Sequence, residues 1–179
     1  MTTALLIIDI QNDLCSGQYA AFEAKRVIDR INQVISAARQ AKAPVIVIQH
    51  EEPGGPMTYA SDAWKLDPDL HAKPDDSYVR KTTPDSFHST DLLAVLQAKN
   101  ISKLVICGLQ SEFCVDTTTR RALTLGYPVT LVADGHTTLD NKVLTAAQIS
   151  AHHNEVLSSM GSFAGQARVV PAADVRFDA

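Results

Sequence analysis

The sequence predicts an α/β protein built on a doubly wound, mostly parallel sheet of six strands, with helices on both faces. Two observations predict this class. Short runs of Val, Ile and Leu alternate along the chain with longer segments of helical period. These runs do not alternate between apolar and polar residues, which is typical of strands that helices cover on both sides. No internal repeat or linker divides the chain, so we expect residues 1–179 to form a single domain.

The first half of the chain contains two predicted strands and one long helix. ALLIID (4–9) is a predicted strand, and a loop through Gly17 follows it. Apolar residues then recur at the i, i+3, i+4, i+7 spacing of an amphipathic helix, at Val27, Ile28, Ile31, Val34, Ile35 and Ala38. Pro44 ends this helix, and VIVIQH (45–50) is the next strand. Residues 51–77 are rich in Pro, Gly and Asp and longer than an ordinary connection, which indicates a functional loop or lid.

The second half continues the alternation of strands and helices. Its predicted elements, in chain order, are strand 78–81, helix 91–100, strand 103–108, helix 115–126, strand 128–134, helix 139–160 and strand 167–170. Ser89 or Thr90 is placed to cap the first of these helices. Gly126 is placed to close the second.

Composition excludes several classes of partner. Sixteen basic and twenty acidic residues give a formal net charge of −4, with no long run of either sign. A nucleic acid or an anionic membrane would favour a basic stripe, so we expect neither as a partner. The N-terminal apolar run lacks a basic flank and contains Asp9, unlike a signal peptide or a membrane span. Cys15, Cys107 and Cys114 are too few for a disulfide framework and favour a reducing, cytoplasmic location.

Three reactive residues fall at the carboxyl ends of predicted strands, where ligands bind in sheets of this kind. Asp9 ends the first strand, Lys81 ends the third, and Cys114 follows KLVICG. A helix N-terminus and a nearby cation lower the pKa of a thiol, and we expect both at Cys114. The thiolate would attack a carbonyl after Asp9 accepts its proton. Backbone N–H groups between Gly108 and Cys114 would stabilise the oxyanion. The pattern therefore predicts hydrolysis of an amide through a thioester.

Four segments carry a wider pattern, in the order LLIIDIQND, VIVIQHE, RKTTPDSF and VICGLQSEFCVDTTTRRALTLGYPVTLVADGHTT. Together they cover nearly the whole chain and resemble the isochorismatase-like cysteine hydrolase superfamily, which includes nicotinamidases, ureido-acid amidohydrolases and isochorismatase. The resemblance implies a Rossmann-like three-layer sandwich and a catalytic triad of Asp9, Lys81 and Cys114. It also implies a cis peptide bond between Leu109 and Gln110, and an oxyanion hole formed by the N–H groups of Gln110 and Cys114.

Two departures from these relatives narrow the expected chemistry. True isochorismatases cleave a vinyl ether and lack the nucleophilic cysteine, so Cys114 favours hydrolysis of a C–N bond in a small amide or carbamoyl compound. Nicotinamidases hold a metal through an Asp-x-His on the second strand and a later His, whereas this chain has Ile48, Gln49 and His50. Because the liganding carboxylate is absent, we expect no metal and no other cofactor, although His50 and His71 could still be brought together.

Six further side chains are candidates for the substrate pocket, namely Gln11, His50, Trp64, Phe87, Phe113 and His136. Several have a simpler interpretation. Gln11 could orient the triad or cap the following loop, and Phe113 could only shape its turn. Phe87 could be a hydrophobic staple for the helix that follows it. Trp64 could cover the pocket or pack on a neighbouring subunit. His136 follows the fifth predicted strand at the same edge of the sheet.

Two rival functions stay open at this point. A hydrolase of non-amide substrates such as a vinyl ether would keep its activity after loss of Cys114. A catalytically retired binding protein would show an ordinary thiol pKa and form no covalent adducts. Members of the superfamily usually form dimers or tetramers, so the resemblance also implies a homodimer or homotetramer. The 51–77 segment would then be either a lid or part of an interface.

Overall fold

The computed structural model describes residues 2–177, so the ends of the predicted 1–179 domain lie outside the described residues. Six strands form its sheet: β1 (Thr2–Ile8), β2 (Val45–His50), β3 (Ser77–Lys81), β4 (Ile101–Leu109), β5 (Val129–Thr137) and β6 (Ala167–Val170). Their order is β3-β2-β1-β4-β5-β6, and every neighbouring pair is parallel. The predicted α/β class is therefore confirmed, with a sheet that is parallel throughout.

Helices cover both faces of this sheet. The α-helices of the described range are α1 (Asn12–Cys15), α2 (Ala24–Gln40), α3 (Leu92–Ala98), α4 (Asp116–Thr124) and α5 (Ala146–Ser158). Successive residues of β1 show how the two layers form. Leu5 and Ile7 pack into the core with α2, whereas Leu6 and Ile8 pack into the core with α3, α4 and α5. Because both faces of β1 are buried, its sequence is apolar without alternation. None of these helices is long and apolar enough to cross a membrane.

The winding direction reverses between β1 and β4, which are neighbours in the sheet although about one hundred residues separate them. Gly108 makes this approach possible. It has a φ of +129°, and a Cβ atom added there would lie 2.1 Å from the carbonyl oxygen of Ile8. Any larger residue would push the two strands apart at their carboxyl ends. Open sheets bind ligands at such a reversal, so this crevice is the expected place for a site.

The two helices after β4 begin later than the sequence predicts. The helix expected over 139–160 begins at Ala146, because Thr145 and Gln148 form a capping box. The helix expected from Val115 begins at Asp116, after a π-helical turn over Ser111–Val115.

Other boundaries also differ from the prediction. The fifth strand extends to Thr137 instead of ending at 134, which places His136 inside the sheet. Neither Ser89 nor Thr90 is the N-cap of α3; that position is Asp91. The hydroxyl of Thr90 instead donates to the carbonyl oxygen of Ser86.

Candidate active site

Lys81 is the centre of a buried cluster at the carboxyl edge of the sheet. Its Nζ atom lies 2.6 Å from Asp9 Oδ2, 3.2 Å from Cys114 Sγ and 3.3 Å from His50 Nδ1. An ammonium group has three N–H donors and no acceptor, so these three contacts use its full donor capacity. The structure therefore brings Asp9, Lys81 and Cys114 together, as their positions at strand ends predicted, and it adds His50 to the group.

The parallel sheet explains this convergence. Lys81 pairs with His50 in the register of β2 and β3, so their side chains start from the same level of the sheet. Asp9 follows β1 directly, has a φ of +53°, and donates its backbone N–H to the carbonyl oxygen of Ile48 on β2. The side chains of Asp9 and Lys81 are almost fully buried, at 1% and 0% exposure. The carboxyl ends of β1, β2 and β3 thus build one side of the site.

The π-helical turn after β4 builds the other side. The peptide bond between Leu109 and Gln110 is cis. The carbonyl oxygen of Gln110 accepts hydrogen bonds from the N–H groups of Phe113 and Val115, at 3.2 and 3.1 Å. These bonds hold Cys114 on the inner side of the turn, partly buried against the core. Gln110 and Cys114, the two residues expected to supply oxyanion donors, therefore belong to a single compact turn.

Electrostatics keep Lys81 charged in this cluster. Burial disfavours its ammonium form, but the negative charge of Asp9, the nearby Cys114 and the hydrogen bonds to both outweigh that effect and raise the pKa of Lys81. A buried cation needs such partners, because an uncompensated charge in an apolar interior is strongly unfavourable. Lys81 is therefore a fixed positive charge between a carboxylate and a thiol.

The Cys114 thiol does not behave as the sequence led us to expect. Burial, followed by the negative charge of Asp9, raises the pKa of Cys114 to about 12, and Lys81 only partly opposes them. The expectation of a lowered pKa was wrong, because it considered the cation and the helix terminus without burial or Asp9. At neutral pH the resting thiol is protonated. Within the described residues, Asp9 Oδ1 is buried and has no hydrogen-bond partner, so it is the available acceptor for the thiol proton.

Gln11 acts on the framework of the site. The side chain is fully buried, and its Nε2 atom donates to the carbonyl oxygens of His50 and Trp64, at 2.9 and 2.8 Å. Its Oε1 atom accepts from the N–H of His50 at 2.8 Å. These bonds use both donors and one acceptor site of the amide. The placement favours the orienting role over direct contact with substrate, and so corrects the assignment of Gln11 to the pocket lining.

Trp64 lies on the long segment between β2 and β3. The hydrogen bonds of Gln11 to the backbone of His50 and Trp64, called the Gln11 clamp below, hold this segment over the end of the sheet. Its ring packs against Tyr59 of the same chain, with ring centroids 4.9 Å apart. Its indole N–H is buried and has no hydrogen-bond partner among residues 2–177. Residues 51–76 form turns without a helix or strand. Trp64 therefore stays a candidate for substrate contact.

His50 and His71 are not brought together. His50 contacts Lys81, whereas the backbone N–H of His71 donates to Asn32 Oδ1 on α2. Burial and the charge of Lys81 lower the pKa of His50, against the nearby carboxylates. Nowhere between residues 2 and 177 do three or more His, Cys, Asp or Glu side chains form a group that could hold a metal ion.

Three other predicted pocket residues have different surroundings. Phe113 is exposed beside the thiol, at 52%. Phe87 belongs to the core that contains α3 and α4, and its ring stacks on Tyr127 with centroids 6.4 Å apart. This placement favours a packing role over the predicted pocket wall. His136 is not at an open strand end: it is buried inside β5, and its ring bonds to Ser111 and Asn154.

Ser111 and Asn154 were missed by the sequence analysis. Both bond to His136, and Ser111 is the first residue of the turn that carries Cys114. One signal was available. Ser150 and Asn154 are polar residues four apart on α5, close to its buried positions Ile149 and Leu157. Polar side chains on the inner stripe of an amphipathic helix point to a buried hydrogen-bond network.

Comparison with known proteins identifies the family. A family model of the isochorismatase domain matches residues 3–160. The chain belongs to the isochorismatase family. A solved structure of an isochorismatase family protein shares 39% sequence identity with it and superposes with a TM-score of 0.86. The match covers 94% of this chain and 97% of that protein.

Two curated isochorismatase relatives have named activities. A streptothricin hydrolase of Streptomyces noursei is 40% identical over 138 residues, which are 76% of this chain and 50% of that protein. The chain spans about half the length of the streptothricin hydrolases that it matches. A ureidoacrylate amidohydrolase of Caulobacter segnis is 31% identical over 170 residues, covering 74% of this chain and 71% of the relative. The isochorismatase family therefore contains hydrolases, amidohydrolases among them.

Proposed function

We propose that this isochorismatase-family chain is a cysteine hydrolase that cleaves a C–N bond in a small amide or carbamoyl compound. The observation that carries the proposal is the contact of one buried ammonium, Lys81 Nζ, with both Asp9 Oδ2 and Cys114 Sγ. A nucleophile, a proton acceptor and a fixed cation within hydrogen-bonding distance form the arrangement that covalent catalysis requires.

The first half-reaction forms a thioester. The Cys114 thiol gives its proton to Asp9 Oδ1 while Sγ attacks the carbonyl carbon of the substrate. Proton transfer and attack occur together, because the raised pKa of Cys114 keeps the free thiolate scarce. The N–H groups of Gln110 and Cys114 stabilise the tetrahedral oxyanion. When the C–N bond breaks, the leaving amine takes the proton back from Asp9.

The second half-reaction releases the acid. Asp9, again ionised, removes a proton from a water molecule, and the hydroxide attacks the thioester carbonyl. The Cys114 thiolate leaves and recovers its proton from Asp9. Lys81 stays protonated throughout, since its raised pKa holds the ammonium form, and its charge stabilises each anionic stage. Each cycle consumes one amide and one water and produces one carboxylic or carbamic acid and one amine.

The relatives suggest which compounds to test first. A panel of ureidoacrylate, an N-carbamoyl amino acid, nicotinamide and streptothricin spans acyclic ureido compounds, a primary amide and the substrate named for the streptothricin hydrolases. Hydrolysis is measured by mass spectrometry, as loss of the substrate and appearance of products whose masses add up to the substrate plus one water. This readout detects amide cleavage whether or not ammonia is released.

The decisive variants are Cys114→Ala and Cys15→Ala. Both remove a free thiol, but Cys15 lies on α1 outside the cluster, so it is the matched control. Cys114→Ala should fold and lose hydrolysis, and Cys15→Ala should keep it. Turnover that survives in Cys114→Ala would favour the rival hydrolase of non-amide substrates. A wild-type protein that binds a panel compound without turnover or a covalent adduct would favour the retired binding protein.

A further inference from the structure

A partly buried chain of hydrogen bonds, with Ser111 and His136 fully buried, lies behind the turn that carries Cys114. His136 is 3% exposed, and its Nδ1 atom lies 2.7 Å from Ser111 Oγ. Its Nε2 atom lies 2.9 Å from Asn154 Oδ1. Ser111 Oγ is also 2.9 Å from Ser150 Oγ. The proposed catalytic steps use none of these four side chains.

The neighbours of the chain determine its direction. Asn154 Nδ2 donates to the carbonyl oxygen of Ala133 at 3.0 Å, so the amide oxygen of Asn154 faces His136 as an acceptor. His136 Nε2 must then carry a ring proton, and in the neutral ring Nδ1 is an acceptor. The Ser111 hydroxyl donates to Nδ1, and the Ser150 hydroxyl donates to Ser111. This arrangement satisfies each of these groups with one proton per bond.

The arrangement requires a neutral imidazole. Burial lowers the pKa of His136, although its hydrogen bond to Asn154 opposes that effect. A second ring proton would turn Nδ1 into a donor, and the Ser111 hydroxyl would then have to accept from the ring and donate to Ser150 instead. The neutral ring therefore fits both the geometry and the burial.

The π-helical turn Ser111–Val115, called the nucleophile turn below, is held in two different ways. Before the turn, β4 is held by the sheet, where Gly108 pairs with His136 and Leu109 pairs with Thr137. Within the turn, the side chain of Ser111 bonds to His136, which lies on β5, the strand that also pairs with the end of β4. Ser111 lies between Gln110 and Cys114, the two residues whose N–H groups we assign to the oxyanion. The Ser111 bond thus joins these donors to the rigid sheet.

We propose that His136 is a positioning residue for the nucleophile turn, acting through the Ser111 hydroxyl to hold the Cys114 thiol against Asp9 and Lys81. The inference rests on the proposed function of Cys114. A displacement of about 1 Å at a reacting group lowers a rate by about 100-fold. A loss of that order in turnover is therefore expected when Ser111 loses its acceptor.

Two substitutions at His136 separate this role from simple core packing. Asn places its side-chain oxygen near the position of Nδ1, so His136→Asn keeps the acceptor for Ser111 and loses the donor to Asn154. Gln places its amide nitrogen near Nε2, so His136→Gln keeps that donor and loses the acceptor. Each variant loses one buried hydrogen bond. Ser111→Ala and Ser150→Ala form a second pair, in which only the first breaks the link to His136.

The readout is the pH dependence of Cys114 alkylation by iodoacetamide, followed by peptide mapping. In the wild-type protein the rate should still rise above pH 10, because the thiol pKa is raised to about 12. A thiol that leaves the cluster moves toward the ordinary value of about 8.5. His136→Gln and Ser111→Ala should therefore react at pH 8.5 at least about tenfold faster than wild type. His136→Asn and Ser150→Ala should follow the wild-type profile.

Other outcomes overturn the proposal. If His136→Asn and His136→Gln shift the profile equally, or if neither shifts it, His136 is a packing residue without a directed role. If His136→Gln does not fold, the two serine variants apply the same test, and equal profiles for them would also mean that His136 only packs. Failure of the proposed function is distinguished by a different result: turnover would then survive in Cys114→Ala.

Discussion

The imidazole of His50 lies against the ammonium of Lys81, with Nδ1 3.3 Å from Nζ. Because Nζ can only donate, Nδ1 accepts, and the ring proton lies on Nε2. Burial and the positive charge of Lys81 lower the pKa of His50, which favours the neutral ring that this contact needs. His50 therefore accepts the third hydrogen bond of the Lys81 ammonium. In the sequence analysis this residue was considered as a possible metal ligand.

Replacing His50 tests this contact directly. His50→Leu removes the acceptor, whereas His50→Asn places an amide oxygen near the position of Nδ1. A hydrogen bond to a charged group contributes about 1.5–3 kcal/mol, so His50→Leu should lower kcat by about 10–100-fold on a panel compound that is hydrolysed. His50→Asn should keep most of the activity. Equal losses in the two variants would show that the ring itself, instead of the acceptor, is needed.

Stability should fall on the acid side of neutrality. The folded-state pKa values of His50 and His136 lie below the ordinary value of about 6.5, so the unfolded chain takes up protons first as the pH falls below that value. Each group then lowers the free energy of unfolding by at most about 1.4 kcal/mol per pH unit, until its folded-state pKa is reached. Urea unfolding at pH 7.5 and 5.5 measures the loss. The loss of unfolding free energy between these pH values should be smaller in His50→Asn and His136→Asn. Equal losses in wild type and both variants would contradict the assignment to these two histidines.

Lys81→Met should be more destabilising than an ordinary buried substitution. It leaves the Asp9 carboxylate buried without its cation, and breaking a buried pair in this way costs about 3–5 kcal/mol. Urea unfolding at pH 7.5 measures the change. Adding Asp9→Asn removes the stranded charge, so the double variant should recover much of the stability without recovering activity. A single variant as stable as wild type would mean that the pair contributes nothing.

Gln11→Ala should loosen the segment between β2 and β3. It removes the bonds of Gln11 to the backbone of His50 and Trp64, and unsatisfied buried groups cost about 1–3 kcal/mol. Protease cleavage within residues 51–76 should become faster. Asn12→Ala is the matched control, because its bond to the carbonyl oxygen of Asp62 is exposed and should matter by less than about 0.5 kcal/mol. Equal cleavage rates in the two variants would contradict the clamp.

Gly108→Ala should abolish the folded protein. Its new Cβ atom would meet the carbonyl oxygen of Ile8 at 2.1 Å, between two neighbouring parallel strands. Gly17→Ala also places a side chain at positive φ, +78°, but nothing lies within 4 Å of the added atom. That control should cost only about 1–2 kcal/mol of backbone strain. The yield of soluble protein and the melting temperature compare them; similar values for both would show that β1 and β4 can separate.

Much of the fold follows from local pattern. The apolar runs of β1, β2, β4 and β5 predicted buried parallel strands because each is covered on both faces. The amphipathic stripe from Val27 to Ala38 predicted α2. Helix starts were less predictable: α5 begins seven residues later than expected, because the capping box at Thr145 overrides apolar periodicity.

The fold class and the meeting of Asp9, Lys81 and Cys114 at one edge could be predicted from the sequence, since parallel strands bring their carboxyl ends together. What surrounds these three residues could be seen only in the folded protein. Gln11 bonds to the backbone of His50, the ring of His50 contacts Lys81, and His136 is buried and bonds to Ser111. Burial also raises the thiol pKa that sequence reasoning had lowered. The physical reason is that burial and contacts between distant segments, such as the 72 residues that separate Asp9 and Lys81, have no local signature in the chain.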